Sequence, residues 1–302
     1  MSKILKVNKP SDYSSWVGQT DPHDLVCVID YSEVSPVRHS LNNYGVYGLF
    51  LQGNEKGMEL VYGTGKYDYQ EGTLICVAPG QLGGKEDNGE WVHLSGWAVL
   101  FHPDVLQGTA LEKDIRDFSF FDYRINEALH MTAEERDVMI ALIKQLDNEL
   151  KFPRDSMQNR IIVGFLNILL RYAQRFYNRQ FTSRTVLNND ILSRFESLLK
   201  EYYENEPAAG VPTVQYCSER LNMSPNYLSD VIRKTTGDTA ARYIKQYVIQ
   251  LAKNRLMSGM NSSEVAYSLG FEYPQHFSRT FKNMTGETPS HYQGRRVAGK
   301  IR

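Results

Sequence analysis

The chain has few of the residues that build disulfide-stapled, metal-binding or membrane-spanning proteins. Only three cysteines, Cys27, Cys76 and Cys217, occur among its 302 residues. Their odd number and wide separation exclude a disulfide framework and a clustered zinc site, and they favour a reducing compartment. No apolar run approaches 18 residues, and the polar, charged N-terminus has no signal-peptide pattern. We therefore expect a cytoplasmic protein that does not enter a membrane.

Sequence motifs of catalysis are also missing. None of the five histidines in the N-terminal half forms a His-x-His pair, although a divalent ion in a barrel enzyme needs several converging donors. The sequence contains neither a nucleophile elbow nor a phosphate-binding loop. We therefore expect no enzymatic activity, no cofactor and no metal site.

The net charge of −1 hides an uneven distribution of charge along the chain. Residues 211–302 contain 13 Lys and Arg against 6 Asp and Glu, a net charge of +7, which leaves −8 for residues 1–210. A basic C-terminal part suits a polyanion such as double-stranded DNA, which would repel an acidic N-terminal part. Ordinary solvated surface is the alternative explanation of this excess.

An eight-residue segment near the C-terminus occurs twice. Residues 236–243 (TGDTAARY) recur 49 positions later as residues 285–292 (TGETPSHY). Upstream, residues 221–234 align with residues 269–282 when one extra residue is allowed in the second copy. Two copies are too few for a solenoid, so the repeat predicts a duplicated compact module.

The second copy has the signals of two helices with a tight turn between them. Asn261 and Glu264 form a capping-box pattern that begins a helix, and Gly270 supplies the left-handed residue that ends it. Phe277 and Phe281 then place two rings on one face of the next helix.

The first copy repeats these signals. Ser224 is the expected N-cap, Pro225 occupies the first helical position, and Leu228 and Ile232 form the buried pair. Two helix-turn-helix motifs are therefore predicted, in which the second helix enters the DNA major groove. Apolar residues at helical spacing predict one long helix between the motifs: Ile244, Val248, Leu251, Ala252 and Leu256. A rigid connection suits recognition helices that must lie about 34 Å apart to reach successive major grooves.

The residues of the second copy resemble the signature of the AraC/XylS-type bacterial transcription regulators. The resemblance covers roughly residues 190–292 and is carried by Val265-Ala266, Gly270-Phe271, Phe277-Ser278-Arg279, Phe281-Lys282 and Gly286 to Tyr292. The chain departs from the family pattern at Asp230, Val248 and Arg255. The resemblance implies a transcription regulator, more often an activator than a repressor, with DNA and RNA polymerase as partners.

Polar residues on the second helix of each copy are the expected DNA contacts. In the second copy, Gln275 suits adenine, Arg279 suits guanine or phosphate, and Ser278 and Lys282 suit the backbone. The first copy offers four further candidates: Asn226, Ser229, Arg233 and Lys234. An ordinary solvated helix face is the alternative for each.

Short segments rich in Val, Leu, Tyr and Trp, separated by turn residues, predict strands in residues 1–130. They are 25–29, 44–51, 58–62, 72–78 and 91–101. This spacing indicates an antiparallel sandwich or barrel, and residues 72–80 resemble a cupin motif. Aromatic residues of these segments, with Arg38 and His39 just ahead of the second segment, are candidates for a small-molecule effector site: Arg38, His39, Tyr47, Tyr62, Trp91 and Trp97. The alternative is that the rings are core, and the residues indicate no class of effector.

Two helices are predicted after the strands, in residues 131–180. Thr132 and Glu135 form a capping box that begins a helix running to about Leu150, and a second helix spans about 155–180. The second carries one apolar stripe of Ile161, Phe165, Ile168 and Tyr172 beside another of Ile162, Leu166, Leu169 and Ala173. One stripe is available to a second subunit, so we expect a homodimer, with the first stripe as candidate interface and an intrachain core as the alternative.

The fold class predicted for the whole chain is α+β, with a cupin-like antiparallel barrel followed by two helices and an all-α C-terminal domain. Residues 181–189 are the expected linker, 190–293 the double helix-turn-helix domain and 294–302 a frayed basic tail. Two other functions stay open: a cupin-type metalloenzyme fused to a DNA-binding module, and a helix-turn-helix scaffold that binds protein.

Overall fold

The computed structural model describes residues 4–20, 23–53, 72–124, 127–205 and 210–299. The chain divides into two compact units, Met1–Gln180 and Phe181–Arg302, called here the first and second units. Among the described residues the strands lie in the first unit, and the second is helical. The predicted α+β class is confirmed at this level.

The strands and helices of the first unit follow the order β1 (Leu5–Val7), α1 (Pro10–Trp16), β2 (Val26–Asp30), β3 (Val37–Arg38), β4 (Leu41–Tyr44), β5 (Tyr47–Gln52), β6 (Thr73–Val77), β7 (Leu82–Gly84), β8 (Trp91–Val92), β9 (Gly96–Phe101), α2 (Leu111–Asp114), β10 (Leu129–His130) and α3 (Ala133–Leu150). The unit boundary falls within α4 (Gln158–Ser183). The second unit continues with α5 (Thr185–Asn205), α6 (Val214–Arg220), α7 (Pro225–Thr236), α8 (Ala240–Ser258), α9 (Ser262–Ser268), α10 (Pro274–Thr285) and α11 (Pro289–Gly299).

The described strands form three open sheets. The largest is antiparallel with the order β10-β6-β5-β9-β2, beside a β1-β4-β7 sheet and a β3-β8 pair. Strands β1 and β4 run parallel, which requires the long connection that α1 and β2 provide. The predicted closed antiparallel barrel is therefore wrong for the described residues. Residue patterns indicate strands but not their long-range partners, and the cupin likeness stays a prediction.

The core between the two larger sheets contains a small group of buried tyrosines. The hydroxyls of Tyr13 and Tyr31 share a hydrogen bond of 2.7 Å, and the Asn42 side chain donates to the Tyr44 hydroxyl at 3.0 Å. Burial raises the pKa of Tyr44 to about 12 and raises those of Tyr13 and Tyr31 as well. These phenols are therefore neutral core residues at physiological pH.

Two predicted strands are each divided by a glycine. The segment 44–51 breaks at Gly45, and the segment 91–101 breaks before Gly96. Gly96 has a φ of +94°, and a Cβ there would lie 2.0 Å from the Leu51 carbonyl oxygen. The sheet thus needs glycine at the start of β9. The predicted strand 58–62 lies outside the described residues.

The first helix after the strands begins as predicted, and the second begins slightly later. Thr132 caps α3 by accepting from the Glu135 amide, and the Glu135 carboxylate accepts from the Thr132 amide at 3.1 Å. The second predicted helix is α4, which starts at Gln158, three residues later than expected. The Asp155 carboxylate accepts from the amides of Met157 and Gln158, which holds the chain before the first turn.

The two apolar stripes of α4 have different surroundings. Ile162, Leu166, Leu169 and Ala173 are completely buried. In the other stripe, Ile161 and Ile168 are 42% and 43% exposed, and Phe165 and Tyr172 are half-buried. The second stripe therefore belongs to the core of this chain, while the first stripe faces outward.

Two predicted irregular segments are helical. Residues 181–189 belong to α4 and α5 except for Arg184, because the Asn188 side chain donates to the Phe181 carbonyl and closes the corner between the helices. Residues 294–299 belong to α11, which starts at Pro289 in the favourable first helical position. The prediction of a frayed tail is therefore wrong as far as Gly299.

The described residues contain neither a candidate membrane span nor a candidate metal cluster. No helix within the described ranges is long and apolar enough to cross a membrane. The same ranges contain no group of three or more His, Cys, Asp or Glu side chains that could hold a metal ion.

Candidate nucleic-acid interface

The second unit contains two equivalent helix pairs, called here the first module (α6 and α7) and the second module (α9 and α10). Ser224 caps α7 by accepting from the Tyr227 amide, and Pro225 stands at its first position. Asn261 and Glu264 form the capping box that begins α9. Both predictions of helix starts are confirmed.

Each module ends in the same backbone conformation, a left-handed glycine after its second helix. Gly237 and Gly286 follow α7 and α10 with φ values of +83° and +84°. The Thr236 and Thr285 hydroxyls donate to carbonyls four residues earlier, Ile232 and Phe281, at 2.8 Å in both modules. The sequence repeat is thus a structural repeat at the level of individual hydrogen bonds.

One helix connects the two modules. α8 contains 19 residues, Ala240–Ser258, between its N-cap Thr239 and its C-cap Gly259, so it is about 28 Å long. Its buried residues are Ala240, Ile244, Val248, Ile249, Ala252 and Leu256. The predicted long helix is confirmed, although Ile249 is buried and Leu251 is only partly so. A continuous packed helix fixes the separation of the modules.

The second helix of the second module, α10, has one buried apolar face and one exposed polar face. Phe277 and Phe281 are completely buried, and their ring centroids lie 5.7 Å apart. Gln275, Arg279 and Lys282 are exposed, and Ser278 is half-buried. Within the described ranges, no hydrogen bond or ion pair engages the side chains of Gln275, Arg279 or Lys282. The predicted DNA-contact residues of α10 therefore share one polar surface.

The second helix of the first module has the same polarity but a different charge pattern. Asn226, Arg233 and Lys234 are exposed and Ser229 is half-buried, so the four predicted contacts again lie on the outer side. However, the Arg233 guanidinium donates to the Asp230 carboxylate at 2.5 Å. Arg233 is therefore already paired within its own helix.

Sequence reasoning missed two exposed polar residues of α10. His276 and Asn283 lie on its accessible surface, and the His276 ring packs edge-on against Tyr273 at 5.5 Å between centroids. The equivalent position in α7 is Tyr227, whose ring is buried against Phe181 at 5.4 Å. Helical spacing from Arg279 would have placed His276 on the same face, because the two are three residues apart.

The candidate effector residues of the first unit do not form one group. Arg38 lies opposite Trp91 in the β3-β8 pair, its guanidinium is 5.9 Å from the Trp91 ring centroid, and it binds both oxygens of Asp87. Tyr47 stacks on Phe101, at the other end of β9 from Trp97. His39 is half-buried, and Tyr62 lies outside the described residues. Among the candidates that the structure describes, Arg38 and Trp91 are in contact, and His39 is close enough to Asp87 for its charge to lower the Asp87 pKa.

In this exposed cluster the positive charge of Arg38 is paired with the negative charge of Asp87. Hydrogen bonds from Arg38, with a further one from the Gly89 amide, hold the pKa of Asp87 below its usual value. The Trp91 ring is 66% exposed beside them. An indole face next to a neutralised ion pair offers stacking and hydrogen bonding without net charge.

Comparison with known proteins connects the C-terminal part to transcription regulators. Residues 217–295 match a family model described as a helix-turn-helix domain, which confirms that prediction. The chain is 33% identical over 82 residues to YtdP of Bacillus subtilis, an uncharacterized HTH-type transcriptional regulator, over 27% of this chain and 11% of that protein. It is 26% identical over 153 residues to the raffinose operon transcriptional regulatory protein RafR of Pediococcus pentosaceus, over 50% and 53% of the two chains.

Solved structures give weaker likenesses. A crystal structure of a transcriptional regulator from Chromobacterium violaceum, described as containing an AraC-type DNA-binding domain, is 19% identical and covers 36% of this chain and 93% of its own, with a TM-score of 0.32. The chain spans about a tenth of YtdP and about half of RafR.

Proposed function

We propose that this chain is a sequence-specific DNA-binding regulator of transcription and not an enzyme. One observation carries the proposal: α7 and α10 are equivalent helices with exposed polar faces, fixed by a helix about 28 Å long. A rigid connecting helix suits two recognition helices that must reach successive major grooves, which lie about 34 Å apart on one side of DNA. The net charge of +7 over residues 211–302 and the helix-turn-helix match support the same function.

Substitution of Arg279 and Lys282 tests this proposal. With DNA fragments selected by the purified protein, Arg279→Ala should weaken binding by about 1 to 3 kcal/mol and relax preference at one base pair. Lys282→Ala should weaken all sequences alike and reduce the salt slope by about 1. Lys200→Ala on α5 removes the same charge outside both modules and is the control. Unchanged binding by both variants across a range of salt would remove the basis for DNA recognition by α10.

A homodimer built through α4 forms the second part of the proposal. Gly164 lies at one edge of the outward stripe of α4, and a Cβ there would meet nothing within 4 Å. Glycine within a helix costs about 1 kcal/mol relative to alanine, and this open backbone allows another helix to approach closely. We infer that the occupant is a second copy of the chain, because two DNA-binding units would then engage paired sites.

Control by a small-molecule effector completes the proposal. The exposed Trp91, with Arg38 and Asp87 beside it, is the observation in the first unit that favours a ligand. RafR is named for a raffinose operon, so sugars are the first effectors to screen. A cytoplasmic location, activation rather than repression, and contact with RNA polymerase follow from the resemblance to AraC/XylS-type regulators.

A further inference from the structure

We infer that Asp230 neutralises Arg233 on the first recognition helix, so that α10 supplies more of the electrostatic affinity for DNA than α7, whose remaining cation is Lys234. This inference rests on the proposed DNA-binding function and assigns unequal contributions to DNA affinity to the two modules. Both recognition helices begin with proline at the first position and end in a left-handed glycine preceded by the same threonine hydrogen bond. Side-chain differences at equivalent positions of the two helices can therefore separate their roles.

The 49-residue offset of the repeat defines those positions. Asp230 occupies the position of Arg279, and Arg233 occupies the position of Lys282. On α10 these are two exposed cations, and among the described residues neither has an ion-pair partner. On α7 they are an acid and a base joined at 2.5 Å. The same pair of positions thus carries a charge of +2 in one module and zero in the other.

Burial makes the pairing in α7 difficult to exchange for a phosphate. The Asp230 side chain is only 11% exposed, whereas that of Arg233 is 55% exposed. If Arg233 turned to a DNA phosphate, the Asp230 carboxylate would lose a charge-assisted hydrogen bond in a largely dry position. The loss of this hydrogen bond offsets part of the gain from the phosphate contact, and a carboxylate would lie near the DNA backbone.

A second difference between the two recognition helices lies in their N-terminal turns. Tyr227 is 8% exposed because Phe181 covers its ring, while its counterpart His276 is exposed on α10. The N-terminal turn of α7 therefore presents less polar surface than that of α10. Both differences reduce the part of α7 that is available to DNA.

The salt dependence of DNA binding by the full chain tests the inference. Lys282→Ala should lower the slope of log affinity against log salt by about 1, and Arg233→Ala should lower it by much less. Asp230→Asn should release Arg233, steepen the slope by about 1 and raise the affinity about tenfold at 50 mM salt. Arg233→Ala added to Asp230→Asn should abolish that gain.

Asp238→Asn is the matched control for loss of an acid. Asp238 also pairs with an arginine, Arg242, at 2.8 Å, but it lies just before the N-cap of α8 and outside both recognition helices. This variant should bind DNA like the parent chain. A fall in slope for Arg233→Ala equal to that for Lys282→Ala would overturn the inference, as would a folded Asp230→Asn variant with parental affinity. If Asp230→Asn unfolds, the comparison of Arg233→Ala with Lys282→Ala decides alone. If substitution of neither Arg279 nor Lys282 changes DNA binding, the proposed DNA-binding function itself fails. That result is distinct from failure of this inference.

Discussion

The turn between the helices of each module depends on a single left-handed residue. In the first module this residue is Asn222, with a φ of +58°, and in the second it is Gly270, with a φ of +84°. Asparagine tolerates this conformation better than most residues, so the first turn accepts a side chain. The second does not, because a Cβ on Gly270 would lie 2.3 Å from the carbonyl group of Gly210.

This difference predicts unequal effects of alanine at two glycines with the same backbone conformation. Gly286→Ala, with nothing within 4 Å of its Cβ, should lower the free energy of unfolding by about 1 to 2 kcal/mol. Gly270→Ala adds a backbone collision and should destabilise the second unit by at least twice as much. Urea unfolding followed by circular dichroism measures both, and equal losses would show that Gly210 moves aside freely.

The position of the tryptophans helps this measurement. Trp16, Trp91 and Trp97 all belong to the first unit, whereas the second unit is helical. Tryptophan fluorescence therefore reports the first unit, and the helical signal reports mainly the second. A change confined to the helical signal assigns the damage to the module.

At the scale of elements, α10 is stabilised through two adjoining rings and the helix that follows. Phe281 is completely buried, with ring centroids 5.7 Å from Phe277 and 5.6 Å from Tyr292 of α11. It therefore fixes α10 to α11 as well as to its own module. The orientation of the polar face depends on this buried ring.

Phe281→Ala should therefore abolish DNA binding through loss of stability. Removing a buried ring typically costs about 3 to 5 kcal/mol, which is a large part of the stability of a small domain. Met284→Ala, at a partly exposed position of the same helix, should cost far less. Thermal unfolding followed by circular dichroism compares the two variants. If Phe281→Ala unfolds at the same temperature as the parent chain, Phe281 does not lie on the buried face of α10.

Elements specified by neighbouring residues were predictable from the sequence. Capping at Ser224, Asn261 and Thr132 involves groups within four positions, so each helix start is encoded locally. The sheets were not predictable in the same way. The parallel pairing of Leu5 with Asn42 joins distant segments, and the closed barrel was wrong for the described residues because no local signal specifies such partners.

The candidate DNA interface shows the same limit. Helical spacing placed Gln275, Arg279 and Lys282 on one polar surface of α10. It did not reveal that Arg233 is bound to Asp230, because a side chain's partner depends on burial as well as spacing. The i, i+3 separation of the two residues was the signal that could have indicated the pair.

At the scale of the whole molecule, the two stripes of α4 predict opposite outcomes for neighbouring residues. Ile168→Glu places a charge on the outward stripe and should give a folded monomer, since the charge would be desolvated in a subunit interface. Leu169→Glu places it in the core and should unfold the first unit. Sedimentation and tryptophan fluorescence distinguish the two results. A monomeric parent chain at micromolar concentration, or an Ile168→Glu variant that stays dimeric, would exclude this surface as the dimer interface.

The continuous helix α8 also fixes the rotation of one module relative to the other about its axis. Each residue added to a helix advances the chain by 1.5 Å and turns it by about 100°. One inserted residue would therefore swing α10 about a quarter turn around the α8 axis and direct its polar face away from the duplex. Seven inserted residues return the phase to within about 20° while adding roughly 10 Å, or about three base pairs of rise. The spacing of the two half-sites can thus change during evolution only in such coarse steps, unless α8 is broken.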